Sequence, residues 1–213
     1  MKRELIIISL ALVLIIMPGL VKSQEINFGI KGGLTLSNLY IDEEDLDDEN
    51  ARLGFNAGFI SQFMFVESFG IQPEFLFTTK GTEGNYAGII NQSVKFNLHY
   101  IDIPILLVIR PIPVMEIHLG PYAGFLVDSD IKFTGTIYGE TTVDRDHFNT
   151  LDYGLAGGLG FNFGNFQAGV RYHLGLQEIA DSTPTRLLLG DSKNSYGQLY
   201  IAIRFKDRFA GVM

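Results

Sequence analysis

Apolar side chains recur at every second residue of this chain, in segment after segment, and no other feature limits its possible folds so tightly. In Ile26-Asn27-Phe28-Gly29-Ile30-Lys31-Gly32-Gly33-Leu34-Thr35-Leu36 the even positions are apolar apart from Gly32, and the odd ones are polar or Gly. A period of two sends alternate side chains to opposite faces, so this run reads as a strand with one greasy face. The pattern returns in Leu53–Phe65, Ile71–Phe77 and Phe96–Ile109, where Ile101, Ile103, Ile105 and Leu107 oppose Tyr100, Asp102 and Pro104. Val114–Asp128 sets Met115, Ile117, Leu119 and Phe125 against Glu116, His118, Gly120, Tyr122 and Gly124. Leu151–Phe163, Phe166–Leu176 and Tyr196–Phe205 repeat it, which makes eight strands.

The connections alternate in length. Val66–Phe69, Pro111–Pro113 and Gly164-Asn165 are short turns, whereas Ser37–Arg52, Gly81–Lys95, Ser129–Thr150 and Gln177–Ser195 are long polar segments. Short turns at one end and long loops at the other suit a membrane barrel of alternating strands. The polar face is loaded with Gly, which fits a crowded narrow lumen better than a solvated exterior. The greasy face carries aromatics near strand ends (Phe63, Phe65, Phe163, Phe166, Tyr172, Phe205), as an interfacial girdle does. The expected fold is all-β: an eight-stranded antiparallel up-and-down transmembrane barrel with short periplasmic turns and long extracellular loops. A soluble periplasmic lipocalin-like binding barrel is the alternative that alternation alone leaves open.

Composition removes several other classes. Of 213 residues, 46% are hydrophobic and 19% charged, so the chain is not of a disordered type. Zero Cys excludes disulfides, thiolate metal sites and cysteine nucleophiles, and a net charge of −8 argues against nucleic acid as a partner. Met1-Lys2-Arg3, the apolar run Leu5–Met17, the Pro18-Gly19 break and Val21-Lys22-Ser23 have the layout of a signal peptide cleaved after Ser23. Residues 24–205 are then the barrel domain and 206–213 a short C-terminal extension. No later stretch reaches eighteen consecutive apolar residues, so the rest of the chain contains no helical span.

Five motifs carry a resemblance. Phe28–Leu39 resembles the opening strand of the PorT-like, porin-family outer-membrane β-barrels of Bacteroidetes-type bacteria. Ile71–Phe77 and Tyr100–Leu107 are similar to that family's third and fourth strands, and Gly120–Gly124 and Arg171–Leu176 to its fifth and seventh. The resemblance implies an eight-stranded barrel in the outer membrane and carries no activity with it. Barrels of this kind end on an aromatic residue read by the insertion machinery. Here Tyr200–Phe205 takes that part, with Lys206–Met213 beyond it.

Strand parity sends Lys31, Glu74, Asp102, Glu116, Arg171 and Arg204 into the lumen, with His118 and His173 beside them. Balanced signs point to a structural ion network, because buried charges persist when paired. Arg171 is expected to pair with Glu74 or Asp102, since its planar fork suits carboxylates. Asp42, Glu43, Glu44, Asp45, Asp47, Asp48 and Glu49 make a weak cation candidate without the ordered spacing of a calcium loop. No cofactor is implied. An enzyme is not expected: His99 and His147 lie near the rim with no Ser and carboxylate at a recognisable spacing, and a lipid-modifying enzyme is kept as the rival reading. The expected role is structural, interactive or accessory to transport or secretion, with a filled lumen. Its expected partners are outer-membrane lipid and lipopolysaccharide, the insertion machinery and envelope or secretion proteins.

Overall fold

The computed structural model describes residues 25–40, 49–86, 92–135, 139–142, 150–178 and 193–206. Residues 1–24, with the expected signal peptide, and residues 207–213 lie outside them, as do His147 and six of the loop acids, Asp42 to Asp48. The strands are β1 (Glu25–Tyr40), β2 (Glu49–Val66), β3 (Phe69–Tyr86), β4 (Gln92–Ile112), β5 (Met115–Gly135), β6 (Gly139–Thr142), β7 (Leu151–Phe163), β8 (Phe166–Glu178) and β9 (Lys193–Lys206).

Every pairing is antiparallel, and all join chain neighbours apart from β1 with β9 and the step from β5 to β7. The β1–β9 pair, with Phe28 opposite Phe205 and Leu34 opposite Leu199, closes the sheet into an eight-stranded barrel with no free edge in the wall. The additional β6 hangs on the outer part of β5, Asp130–Phe133, and is not a stave.

The strands outrun the expected boundaries. β1 continues to Tyr40 and β2 restarts at Glu49, so both ends of the expected Ser37–Arg52 loop are strand; β3 runs to Tyr86 and β4 begins at Gln92. At ~3.3 Å per residue the 21 residues of β4 extend about 70 Å, whereas a tilted strand needs only ~10 residues to cross the apolar band. The surplus stands beyond the membrane. There the outward face no longer meets lipid and need not be apolar, so alternation of polarity stops marking the strand, although inward residues such as Lys80, Leu98 and Ser129 stay buried.

Inside and outside are reversed relative to a soluble protein. Phe28, Ile30, Leu34, Leu36, Phe59, Phe75, Leu155, Leu199 and Ile201 are exposed, while Lys31, Glu74, Lys80, Asp102, Glu116, His118 and Arg171 are buried. Lipid covers the first set, and the barrel's core is polar. Inward glycines allow the wall to coil this tightly. A Cβ on Gly58 would stand 2.0 Å from the Phe75 carbonyl oxygen, and one on Gly154 2.0 Å from that of Leu174.

Candidate functional site

The lumen holds three ionic layers stacked along the barrel. Nearest the short turns, Glu116 from β5 accepts from seven nitrogens. Its Oε1 takes Arg110 Nη2 at 2.8 Å and Nε at 3.2 Å, Arg204 Nη1 at 3.0 Å and Asn162 Nδ2 at 3.0 Å. Its Oε2 takes Gln167 at 2.8 Å, Gln62 at 3.0 Å and His118 Nε2 at 3.2 Å. Two guanidinium groups thus meet one carboxylate. Below them opens a cavity of about 670 Å³ between the turns, with Arg110, Arg204, Asn27 and Asn162 in its walls.

In the middle layer Glu74 from β3 is the shared acceptor. Arg171 Nη1 lies 2.7 Å and Lys31 Nζ 3.0 Å from its Oε2, and Gln72 donates to its Oε1 at 2.7 Å. All the ion-pair side chains here are 1% exposed or less. Tyr200 backs the cations, its ring centroid 4.3 Å from Lys31 Nζ. His118 ties this layer to the one below. A guanidinium can only donate, so His118 Nδ1 accepts from Arg171 Nη2 at 3.0 Å, which leaves Nε2–H to donate to Glu116.

The third layer inverts the ratio. Lys80 Nζ sits 2.9 Å from Asp102 and 3.0 Å from Asp152, fully buried. The rings of Tyr100, Tyr196 and Tyr122 surround it at 4.4, 4.5 and 5.1 Å, a cation–π cage. Tyr196 donates to Asp102 at 2.8 Å, and Asn194 to Asp152 at 2.9 Å. His173 stacks on Tyr196 at 4.3 Å.

All eight lumen residues named from parity are buried in this interior. Arg171 meets Glu74, whereas Asp102 belongs to Lys80 one layer up. Sequence reading passed over Lys80, Asp152 and Arg110. Lys80 and Arg110 lie just beyond the strands drawn by apolar alternation, and extending the inward row Glu74-Leu76-Thr78 by one step reaches Lys80. Asp152 lies within Leu151–Phe163, on its inward face, where the same parity points to it. Of the seven acids of the cation-candidate loop only Glu49 is described, opening β2 opposite Gly84.

Outside the barrel, near its outer rim, His99 Nε2 lies 3.4 Å from Asp130, and its ring stacks on Phe77. Cross-strand pairing of β4 with β5 brings the two together, which spacing along the chain does not reveal. His99 Nδ1 has no partner among the described residues.

The family model of the outer membrane protein beta-barrel domain matches residues 22–181, well over half of the chain. The chain belongs to that family. Its place is the cell outer membrane, and with that the soluble lipocalin-like alternative falls. None of the curated proteins compared matches it in sequence. Among solved structures it is similar to Ail, the attachment invasion locus protein of Yersinia pestis, in complex with the heparin analogue sucrose octasulfate. Identity is 21%, over 85% of this chain and 99% of that one, with a TM-score of 0.47. Neisserial surface protein A (NspA) is 10% identical, over 87% of this chain and 99% of its own, with a TM-score of 0.45. OprG from Pseudomonas aeruginosa is 13% identical, over 88% and 100%, with a TM-score of 0.32.

Proposed function

We propose that this protein is a closed, non-enzymatic barrel of the PorT-like kind. It acts through its outward face and its long-loop end on envelope or secretion partners, as a structural, interaction or transport-accessory protein. One observation carries the reading: three successive layers of paired charges cross the lumen, and each ties side chains from opposite walls together. Eight strands enclose an interior just wide enough for side chains, and aqueous channels belong to barrels about twice that size. A solute passing through would have to break every layer. The order of the five PorT-like motifs supports the family subgroup. Surrounding lipid and lipopolysaccharide are its solvent, and the insertion machinery reads Tyr200–Phe205.

Two measurements test this. Purified protein in a planar bilayer gives no steady conductance, and large reproducible single-channel steps would overturn the closed lumen. Crosslinking followed by co-purification from solubilised outer membrane recovers a stoichiometric envelope partner, and recovery of the barrel alone would remove the accessory role.

The lipid-modifying alternative has the His99–Asp130 pair in its favour. Against it, the hydroxyl opposite His99 belongs to Thr79, which accepts from the Phe55 amide at 2.8 Å and so is held by the backbone. Release of fatty acid from outer-membrane lipid by the wild type, abolished in His99→Asn, would favour the enzyme.

A further inference from the structure

One stretch of the lumen wall has polar atoms that the ionic layers leave unpaired. Thr78 of β3 stands opposite Asn56 of β2, and the Asn56 amide donates to Thr35 of β1 at 3.2 Å. Thr35 stands opposite Gln198 of β9, and Gln198 opposite Arg171 of β8, two residues from His173. These side chains form an arc over five adjacent strands, each 3% exposed or less. Along it Thr78 Oγ1, Asn56 Oδ1, Gln198 Nε2, Arg171 Nε and both ring nitrogens of His173 have no hydrogen-bond partner among the described residues.

The arc lies between two ionic layers. On one side Gln198 Oε1 holds Lys31 at 3.3 Å; on the other, His173 stacks on the Tyr196 that holds Asp102. A buried polar group without a partner is costly enough that native structures seldom keep one, and neighbouring orphans mark a shared missing partner. The mixture of atoms says what that partner is. Arg171 Nε and the Gln198 amide nitrogen only donate, Asn56 Oδ1 only accepts, and Thr78 does both. A cation would face the two donors with Lys31 and Lys80 close by, and an anion would face Asn56 Oδ1 with Asp102 and Asp152 beyond. Water donates and accepts, and a buried water needs two to four such groups.

We infer that a chain of ordered water molecules is bound along this arc, from Thr78 to His173, sealed between the Glu74 and Lys80 layers. The lumen there is wet without being open. The inference builds on the closed-lumen reading, but conductance tests that reading separately, since a water chain sealed at both ends passes no ions.

The test uses the full chain refolded in detergent or lipid. A crystal structure resolving ordered solvent is expected to show waters bridging atoms of the arc, and an arc without density would overturn the inference. Thermal unfolding of Thr78→Val supplies a second reading that needs no crystal. In a wet arc the substitution takes a partner from a bound water, and the midpoint falls by a few degrees. In a dry arc it removes an unpaired hydroxyl at nearly constant shape, and the midpoint rises, which would sink the idea. His173→Phe, which keeps the stacking on Tyr196, is expected to move the midpoint the same way as Thr78→Val.

Discussion

In each lumen layer one charge is outnumbered by two of the opposite sign, and that minority charge should dominate the layer's stability. Glu74 faces Arg171 at 2.7 Å and Lys31 at 3.0 Å. Arg171→Leu removes one cation and leaves Glu74 with Lys31, a formally neutral pair. What is lost is the difference between two charge-assisted contacts and one, about 1–3 kcal/mol. Glu74→Leu instead leaves two buried cations facing each other with no carboxylate between them. Breaking one buried pair costs about 3–5 kcal/mol, and here two are broken by one substitution, so the upper end or more is expected. The gap of at least about 2 kcal/mol corresponds to about thirty-fold in the unfolding constant.

The order of effects is more diagnostic than either value. Adding Arg171→Leu to Glu74→Leu takes away one of two mutually repelling charges, so the double variant should be more stable than Glu74→Leu alone. Urea unfolding of the full chain in lipid vesicles measures this, followed by tyrosine fluorescence because the chain has no Trp. Glu74→Gln, which retains the shape and the neutral hydrogen bonds, covers the case in which the leucine variant fails to insert. If Arg171→Leu costs as much as Glu74→Leu, or the double variant is the least stable of the three, minority charges do not govern the layers.

The third layer should mirror the second with signs exchanged: Lys80→Met leaves Asp102 facing Asp152, and Asp152→Asn added to it should restore stability in the same unfolding assay. Gly58→Val should lower stability by about 1–3 kcal/mol or abolish insertion, because its Cβ would enter the Phe75 carbonyl oxygen 2.0 Å away; an unchanged urea midpoint would contradict that. Calcium should raise the midpoint of the wild type only weakly, and little more than that of a variant with the acids of Asp42–Glu49 changed to Ser and Asn, since an acidic run without the ordered spacing of a calcium loop offers no fixed ligand set. Mass analysis of the protein recovered from outer membrane should place its N-terminus at Gln24, and retention of Met1 would remove the leader reading.

Most of the wall was legible from residue types because the membrane enforces alternation. A residue facing lipid must be apolar and its neighbour faces the lumen, so parity alone assigns Arg171, Glu74 and Asp102 to the interior. What parity cannot give is height. Arg171 meets Glu74 and not Asp102 because the stagger of β3 and β4 puts those carboxylates in different layers, and stagger depends on the register of every pair round the ring. Lys80 was missed for a related reason. The alternation of β3 weakens past Phe77, where the outward neighbour is Thr79 instead of an apolar residue, and the strand then seems to end. His99 and Asp130 share that difficulty, since only the β4–β5 pairing makes them neighbours.

The same logic explains why the interior is ionic although an apolar filling would cost less desolvation. With lipid outside, an apolar lumen would make the two faces of every strand chemically alike. A strand could then slip by one residue, exchange its faces and lose little. In this barrel a one-residue slip of β8 would turn Arg171 and His173 into lipid and bring Val170 and Tyr172 inside. A lipid-facing Arg near the bilayer midplane costs about 2–4 kcal/mol, and Glu74 would lose its 2.7 Å partner as well. Each strand that sends a charge into a layer is penalised in this way: β1 through Lys31, β3 through Glu74 and Lys80, β4 through Asp102 and Arg110, β5 through Glu116, β7 through Asp152 and β9 through Arg204. The layers therefore act on register at least as much as on stability. They separate the correct barrel from its slipped forms by more than any apolar core of the same volume would.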